Sequence, residues 1–78
     1  MRIELTGTDT VLMVSRNGFR VLFSFTTPVA VQAPDSRDWL VTEHKYSAKT
    51  ARHINAVVSK ERRKLVPQSD IDDIVSDL

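Results

Sequence analysis

Alternating hydrophobic and polar positions dominate the first half of the chain and predict β-strands. The alternation is clearest in the segment FRVLFSF, where Phe19, Val21, Phe23 and Phe25 share one side of a strand. Breaks rich in Gly, Pro, Asp and Ser divide this half into apolar segments. Strands are predicted at residues 2–6, 10–16, 19–25, 29–33 and 38–43. Because every connection is short, neighbouring strands are expected to pair antiparallel, as a meander.

The pair Asn17 and Gly18 lies between two of these strands and predicts a β-hairpin. A two-residue type I′ turn needs positive φ at both central positions, and Asn and Gly tolerate that conformation best. Pro28 precedes the fourth strand, where its missing N–H does not interrupt a ladder.

After residue 45 the hydrophobic period lengthens to that of an amphipathic helix. On a helical wheel Ile54 lies at the centre of an apolar stripe wide enough to cover a sheet. The other stripe residues are Ala51, Val57, Val58 and Leu65. Ser47 is the predicted N-cap, with Thr50 as the alternative, and the helix is expected to end before Pro67. This helix would cover the phenylalanine side of the sheet.

A second, short helix is predicted for the closing segment SDIDDIVSDL. Its apolar residues recur at helical spacing, at Ile71, Ile74, Val75 and Leu78. Ser69 and Asp72 have the spacing of a capping box. The prediction is therefore an α+β fold, a small antiparallel β-meander of about five strands covered by one amphipathic helix, with a short C-terminal helix. Residues 1–66 form the single domain, and residues 67–78 form the acidic helix or tail.

The same alternation places Leu12, Val14 and Leu22 on the sheet face away from the helix. Scattered apolar side chains are ordinary on a protein surface, but they could also seed contact between two sheets or sheet edges. We therefore expect a monomer or a weak dimer.

Size and composition narrow the classes of protein. With 78 residues the chain holds one small core, and without cysteine it has neither disulfides nor thiolate metal sites. That composition fits a reducing cytosol, and we expect a cytoplasmic protein. The apolar runs are far too short to span a membrane, so no membrane association is expected.

The net charge of +1 hides an uneven distribution. Residues 45–64 carry seven basic residues and one acidic residue, whereas residues 65–78 carry four aspartates and no base. The basic positions predicted to share one exposed helix face are Lys49, Arg52, Lys60, Arg63 and Lys64, with flanking contacts from Tyr46, His53 and Arg62. A solvated helix face, or one neutralised by the acidic tail, is the ordinary interpretation. The alternative is a binding surface, because this face carries no acid of its own.

No set of residues predicts catalysis or metal binding. Arg52 and His53 point to different sides of the helix, and no nucleophile elbow or cysteine is present. His53 is instead expected to hydrogen-bond toward the sheet. His44 and His53 lack metal-ligand spacing, and the C-terminal aspartates lack the glycine and glutamate of a calcium loop. We expect no cofactor, no metal and no enzymatic activity.

Three short motifs resemble those of very small proteins encoded by phages and prophages. The first is a strand with the pattern S-aromatic-x-T-P-V-A, here Ser24, Phe25, Thr27, Pro28, Val29 and Ala30. The second is a helix start, here Thr42, Glu43, Tyr46, Ser47, Thr50, Ala51, Arg52, His53, Ile54 and Asn55. The third is Val66, Pro67 and Gln68.

Small phage proteins of this kind include anti-CRISPR inhibitors, which bind large nucleoprotein complexes without catalysis. The resemblance implies a phage-encoded inhibitor whose partner is a host protein or nucleoprotein complex, such as a CRISPR surveillance complex. A small nucleic-acid-binding regulator that contacts DNA or RNA directly is the alternative, and it predicts strongly salt-dependent binding.

Overall fold

The computed structural model describes residues 2–5 and 10–78, with side chains from residue 10 onward. Within these residues, six strands form one sheet in sequence order. They are β1 (Arg2–Leu5), β2 (Thr10–Val14), β3 (Arg20–Ser24), β4 (Thr27–Gln32), β5 (Trp39–Thr42) and β6 (Arg63–Val66). Strands β1 to β5 pair antiparallel, and β6 pairs parallel to β5. The α+β class and the five-strand meander are therefore confirmed, and the sixth strand is an addition.

Two helices cover opposite faces of this sheet. Helix α1 (Ala48–Val57) packs through Ile54 on a core that includes Leu22 and Trp39. Helix α2 (Gln68–Ser76) packs through Ile71 on the other face, where Phe19, Val21 and Phe23 lie. The prediction that α1 covers the phenylalanine face was wrong. Both faces of the central strands are apolar, so the alternation alone did not distinguish which helix covers which face.

For the same reason the predicted exposure of Leu12 and Leu22 was wrong. Leu22 is fully buried under α1, and Leu12 packs against the same cluster. Val14 is half-buried. Helix α1 covers this face, so it is not an open apolar surface. Two copies of the chain therefore cannot pair through it. The prediction of a monomer or weak dimer stays a prediction.

Helix α1 is shorter than the hydrophobic stripe predicted. Its N-cap is Ser47, as predicted, since the Thr50 backbone N–H donates to Ser47 Oγ at 3.1 Å. The helix ends at Val57, and Val58 has an extended backbone with φ −107°. A 3₁₀ turn (Lys60–Arg62) then leads into β6, so Leu65 lies in a strand and not in the predicted helix.

The hairpin between β2 and β3 has a three-residue loop, at residues 16–18. The Ser15 N–H donates to the Phe19 carbonyl at 2.8 Å, and the Gly18 N–H donates to the Ser15 carbonyl at 3.0 Å. Gly18 has φ +87°, whereas Asn17 does not have the positive φ that a type I′ turn requires. The hairpin was predicted correctly and its turn type was not, because a loop with one left-handed glycine is the next most common solution.

The turn between β3 and β4 places Phe25 outside the strand. Phe25 has φ +59° and is 49% exposed. The prediction that it shares one strand face with Phe19 and Phe23 was therefore wrong. The register of β3 on β4 also shifts here, between Leu22 and Phe23. This irregularity lets the consecutive residues Val29 and Ala30 both join the core under α1.

Helix α2 follows β6 directly. Its N-cap position is Pro67, whose side chain makes no capping hydrogen bond, so the predicted capping box with Ser69 was wrong. The helix itself and its inward residues Ile71, Ile74 and Val75 were predicted correctly. Ile71 is fully buried, and the helix therefore packs as part of the core.

Candidate functional site

A hydroxyl cluster joins the end of β3 to helix α1. Ser24 Oγ lies 2.7 Å from His53 Nδ1 and 3.0 Å from Thr50 Oγ1. Thr50 Oγ1 in turn accepts a hydrogen bond from Ser47 Oγ at 3.3 Å. The expectation that His53 hydrogen-bonds toward the sheet is confirmed. Its partner Ser24 was not predicted, because the alternation of β3 places Ser24 on the side opposite the phenylalanines, which was expected to face away from the helix. That side is buried under α1, where a polar side chain needs a hydrogen-bonding neighbour.

A second set of contacts lies beside this cluster and is centred on Gln68, the first residue of α2. Gln68 Nε2 donates to the Pro28 carbonyl at 2.8 Å and to Asp72 Oδ1 at 2.9 Å. Gln68 Oε1 accepts from the Tyr46 hydroxyl at 2.9 Å. These bonds tie β4, the loop before α1 and the start of α2 together.

The three motifs seen in the sequence therefore meet at one end of the sheet. Ser24, Thr50 and His53 bind one another, and Pro28, Tyr46 and Gln68 are linked through a single side chain. Most of the polar groups in these motifs are already paired in hydrogen bonds within the protein. Ser24 is only 2% exposed, so its hydroxyl is not presented to a substrate. The motifs thus fix the fold, and any binding function must come from the exposed residues around them.

Exposed aromatic rings border this end of the molecule. The Phe25 ring centroid lies 5.8 Å from that of His53, and Lys49 Nζ lies 5.5 Å from the Phe25 centroid. The Tyr46 ring packs edge-on against His44 at 4.3 Å between centroids. Trp39, by contrast, is buried in the core.

A groove of about 530 Å³ runs between α1 and β6. Its apolar wall includes Ala51, Ile54 and Leu65, and Leu65 is 61% exposed. Tyr46 also lines the groove, Lys45 and Arg63 supply positive charge, and Glu43 supplies one negative charge. We call this feature the α1–β6 groove. Because β6 is the last strand of the sheet in the described part of the chain, its outer edge borders the groove without a neighbouring strand.

Arg63, which lines the groove, is bonded to the end of α1. Its Nη2 donates to the Val58 carbonyl at 2.6 Å and to Asn55 Oδ1 at 3.1 Å. Val58 is the C-cap of α1, so the guanidinium satisfies a carbonyl at the helix end that lacks a helical partner. The Nε atom of Arg63 is buried and has no partner among the described residues.

The basic residues predicted to share one helix face lie on three elements. Lys49 and Arg52 are exposed on α1, Lys60 and Arg62 belong to the 3₁₀ turn, and Arg63 and Lys64 belong to β6. Arg63 faces α1, whereas Lys64 points to the opposite face beside Leu40 and Ile74. The single basic helix face was therefore wrong, because residues 58–66 leave the helix to complete the sheet.

Across the described parts of the chain, no group of three or more His, Asp or Glu residues is placed to hold a metal ion. None of the helices described is long and apolar enough to cross a membrane.

The chain belongs to a family of unknown function (DUF8033), which matches residues 2–73. No curated protein and no solved structure matches it.

Proposed function

We propose that this chain is a non-catalytic binding protein, an anti-CRISPR-like inhibitor of phage origin that docks on a host nucleoprotein defence complex. The phage origin and the class of partner come from the resemblance of its three motifs. The observation that carries the binding role is the α1–β6 groove, an open, largely apolar groove next to an unpaired strand edge, whose lining includes Lys45, Arg63 and one carboxylate, Glu43.

The groove favours an extended, acidic segment of a partner protein. A strand added along β6 would satisfy its free backbone groups, as in β-augmentation. An apolar side chain of that strand would cover Leu65, which is 61% exposed. Residues 45–64 carry six more positive than negative charges, so an acidic partner is attracted and a basic one repelled.

The hydrogen bond between Ser24 and His53 inside the protein supports a non-catalytic role. A serine activated by histidine must present its oxygen to a substrate, and here that oxygen is buried and bonded to both Thr50 and His53.

The test is site-directed photo-crosslinking in the native host. A photo-crosslinking residue replaces Leu65 in the groove, and the matched control carries it at Asp73, exposed on α2. We expect the Leu65 derivative to capture subunits of a nucleoprotein complex and the Asp73 derivative not to. Lys45→Glu in the Leu65 derivative should reduce the capture. Equal capture at both positions, or capture insensitive to Lys45, contradicts the proposal.

Direct nucleic-acid binding is a second candidate, favoured by the spread of exposed cations over α1, the 3₁₀ turn and β6. It predicts that the isolated protein shifts a DNA or RNA oligonucleotide in a gel, and that binding weakens steeply as salt is raised. Protein capture at Leu65 without any oligonucleotide shift would favour the first candidate alone.

A further inference from the structure

A second pocket, separate from the α1–β6 groove, gathers three arginines at the opposite end of the sheet. The β2–β3 hairpin, the loop between β4 and β5 and the 3₁₀ turn meet around a cavity of about 460 Å³. Arg20, Arg37 and Arg62 line it, one from each of these segments, together with the polar side chains of Gln32 and Ser36. No carboxylate lines it among the residues described. We call it the three-arginine pocket.

The walls of this pocket are fixed by local contacts. Gly18 approaches Pro34 so closely that an added Cβ would lie 2.8 Å from the proline Cβ, so the hairpin lies directly against the loop. Gln32 Nε2 donates to the Arg37 carbonyl at 3.3 Å. The Asp38 backbone N–H donates to Ser36 Oγ at 3.1 Å. The loop that carries Arg37 is thereby held in place from both sides before any ligand arrives.

The three guanidinium groups are not neutralised within the protein. Among the side chains of residues 10–78, none of the three makes a hydrogen bond or an ion pair. Asp35 and Asp38 belong to the same loop but do not line the pocket. Three like charges directed into one cavity repel one another, and an anion between them would relieve that repulsion. The planar fork of arginine binds phosphate oxygens in bidentate fashion, which makes phosphate the anion that best suits this set.

We propose that the three-arginine pocket binds a phosphate group, carried by a nucleic-acid strand or by a free nucleotide. The cavity volume is within the range of ordinary small-ligand pockets, so it is large enough to hold a phosphate with its attached sugar. The site shares no lining residue with the α1–β6 groove, and the proposal does not depend on a protein partner there.

The experiment titrates the purified chain separately with a fluorescent single-stranded oligonucleotide, with a nucleoside diphosphate and with inorganic phosphate. Binding is followed by anisotropy for the first and by amide chemical shifts for the others. Arg20→Gln, Arg37→Gln and Arg62→Gln are compared with Arg16→Gln, an exposed arginine of the same hairpin that does not line the pocket. All four side chains are exposed, so the variants should fold, and circular dichroism checks this.

We expect each pocket variant to weaken binding about tenfold or more, and Arg16→Gln to leave it nearly unchanged. For the oligonucleotide, each lost arginine should also reduce the slope of log affinity against log salt by about 0.7. Asp35→Asn should strengthen binding, because it removes a nearby negative charge.

The probes also separate the sources of the phosphate. Binding of the oligonucleotide alone assigns the pocket to a nucleic-acid backbone, whereas binding of the nucleoside diphosphate assigns it to a free nucleotide. The proposal is overturned if none of the probes binds at millimolar concentration. It is also overturned if Arg16→Gln weakens binding as much as the three pocket variants do. Photo-crosslinking at Leu65 is a separate measurement, so its outcome does not decide this one.

Discussion

Ser24 Oγ and His53 Nδ1 lie 2.7 Å apart and join the end of β3 to the middle of α1. The same oxygen lies 3.0 Å from Thr50 Oγ1, which is itself bonded to Ser47, the N-cap of the helix. The cluster therefore connects helix initiation to helix docking. It fixes where α1 lies on the sheet and thus the width of the α1–β6 groove.

Ser24→Ala should destabilise the protein by about 1–3 kcal/mol. The substitution leaves Thr50 and His53 without a shared partner in a largely buried position, and an unsatisfied buried polar group carries its full desolvation penalty. Urea unfolding measures the change. Ser59→Ala is the control, since Ser59 is exposed and its side chain bonds only the Glu61 N–H of the 3₁₀ turn. An equal loss of unfolding free energy in the two variants would show that the buried cluster contributes no more to stability than an exposed hydrogen bond.

The sequence predicted the elements well where local pattern decides them. The alternation in β3, the glycine of the first hairpin and the Ser47 cap all act within a few residues, and each prediction located its element correctly. The sheet faces could not be assigned in the same way. Val21 and Leu22 are both fully buried, so neither face of β3 is polar enough to mark the outside.

The end of α1 shows why the candidate site was harder to predict. Val57, Val58 and Leu65 fit a helical stripe, yet residues 63–66 pair with β5 in parallel register, with Val41 opposite Leu65. That pairing is made between residues more than twenty positions apart in sequence. A periodic pattern reports only neighbours along the chain, so it could not show that the basic segment divides among three elements.

Gly18→Ala should destabilise the protein by about 1–3 kcal/mol. The glycine has φ +87°, a conformation that alanine adopts with strain, and the new Cβ would press on Pro34 at 2.8 Å. Thermal and urea denaturation measure the loss. Pro34→Gly removes the opposing Cβ, so a double-mutant cycle separates the steric part from the backbone part. Full additivity in that cycle would rule out the steric contribution.

Phe25 offers a test of backbone strain at an exposed turn. Its φ of +59° favours glycine, so Phe25→Gly should be more stable than Phe25→Ala by about 1 kcal/mol. Both variants lose the ring contacts with His53 and Lys49, which therefore cancel in the comparison. At a residue with negative φ the alanine variant is the more stable of the two. If urea unfolding finds Phe25→Ala more stable than Phe25→Gly, the backbone at Phe25 is not strained.

Ile71→Ala should destabilise the protein by about 2–5 kcal/mol. The side chain is fully buried between α2 and the sheet, and its truncation leaves a cavity as well as lost burial. Leu65→Ala is the matched control, because Leu65 is 61% exposed and should change stability by less than about 0.5 kcal/mol. A small loss for Ile71→Ala in calorimetry would mean that α2 does not contribute to the cooperative core.

Charge reversal at Arg52 and at Arg63 should have different consequences, although the sequence placed both on one helix face. Arg63 donates to the Val58 carbonyl and to Asn55, so Arg63→Glu should lower stability by about 1.5–3 kcal/mol. Arg52 is exposed on α1, and Arg52→Glu should change stability by less than about 0.5 kcal/mol. Urea unfolding of the two variants measures this difference directly.

Binding is the second measurement on these variants. If cations around the α1–β6 groove attract an acidic partner, Arg52→Glu should reduce crosslinking of the captured complex through Leu65 by roughly tenfold, equivalent to about 1.4 kcal/mol. Arg16→Glu makes the same charge change on the β2–β3 hairpin and should leave capture nearly intact. An equal loss in both would show that only net charge matters. Unchanged capture in Arg52→Glu would mean that the exposed face of α1 is solvated and makes no contribution to the interface.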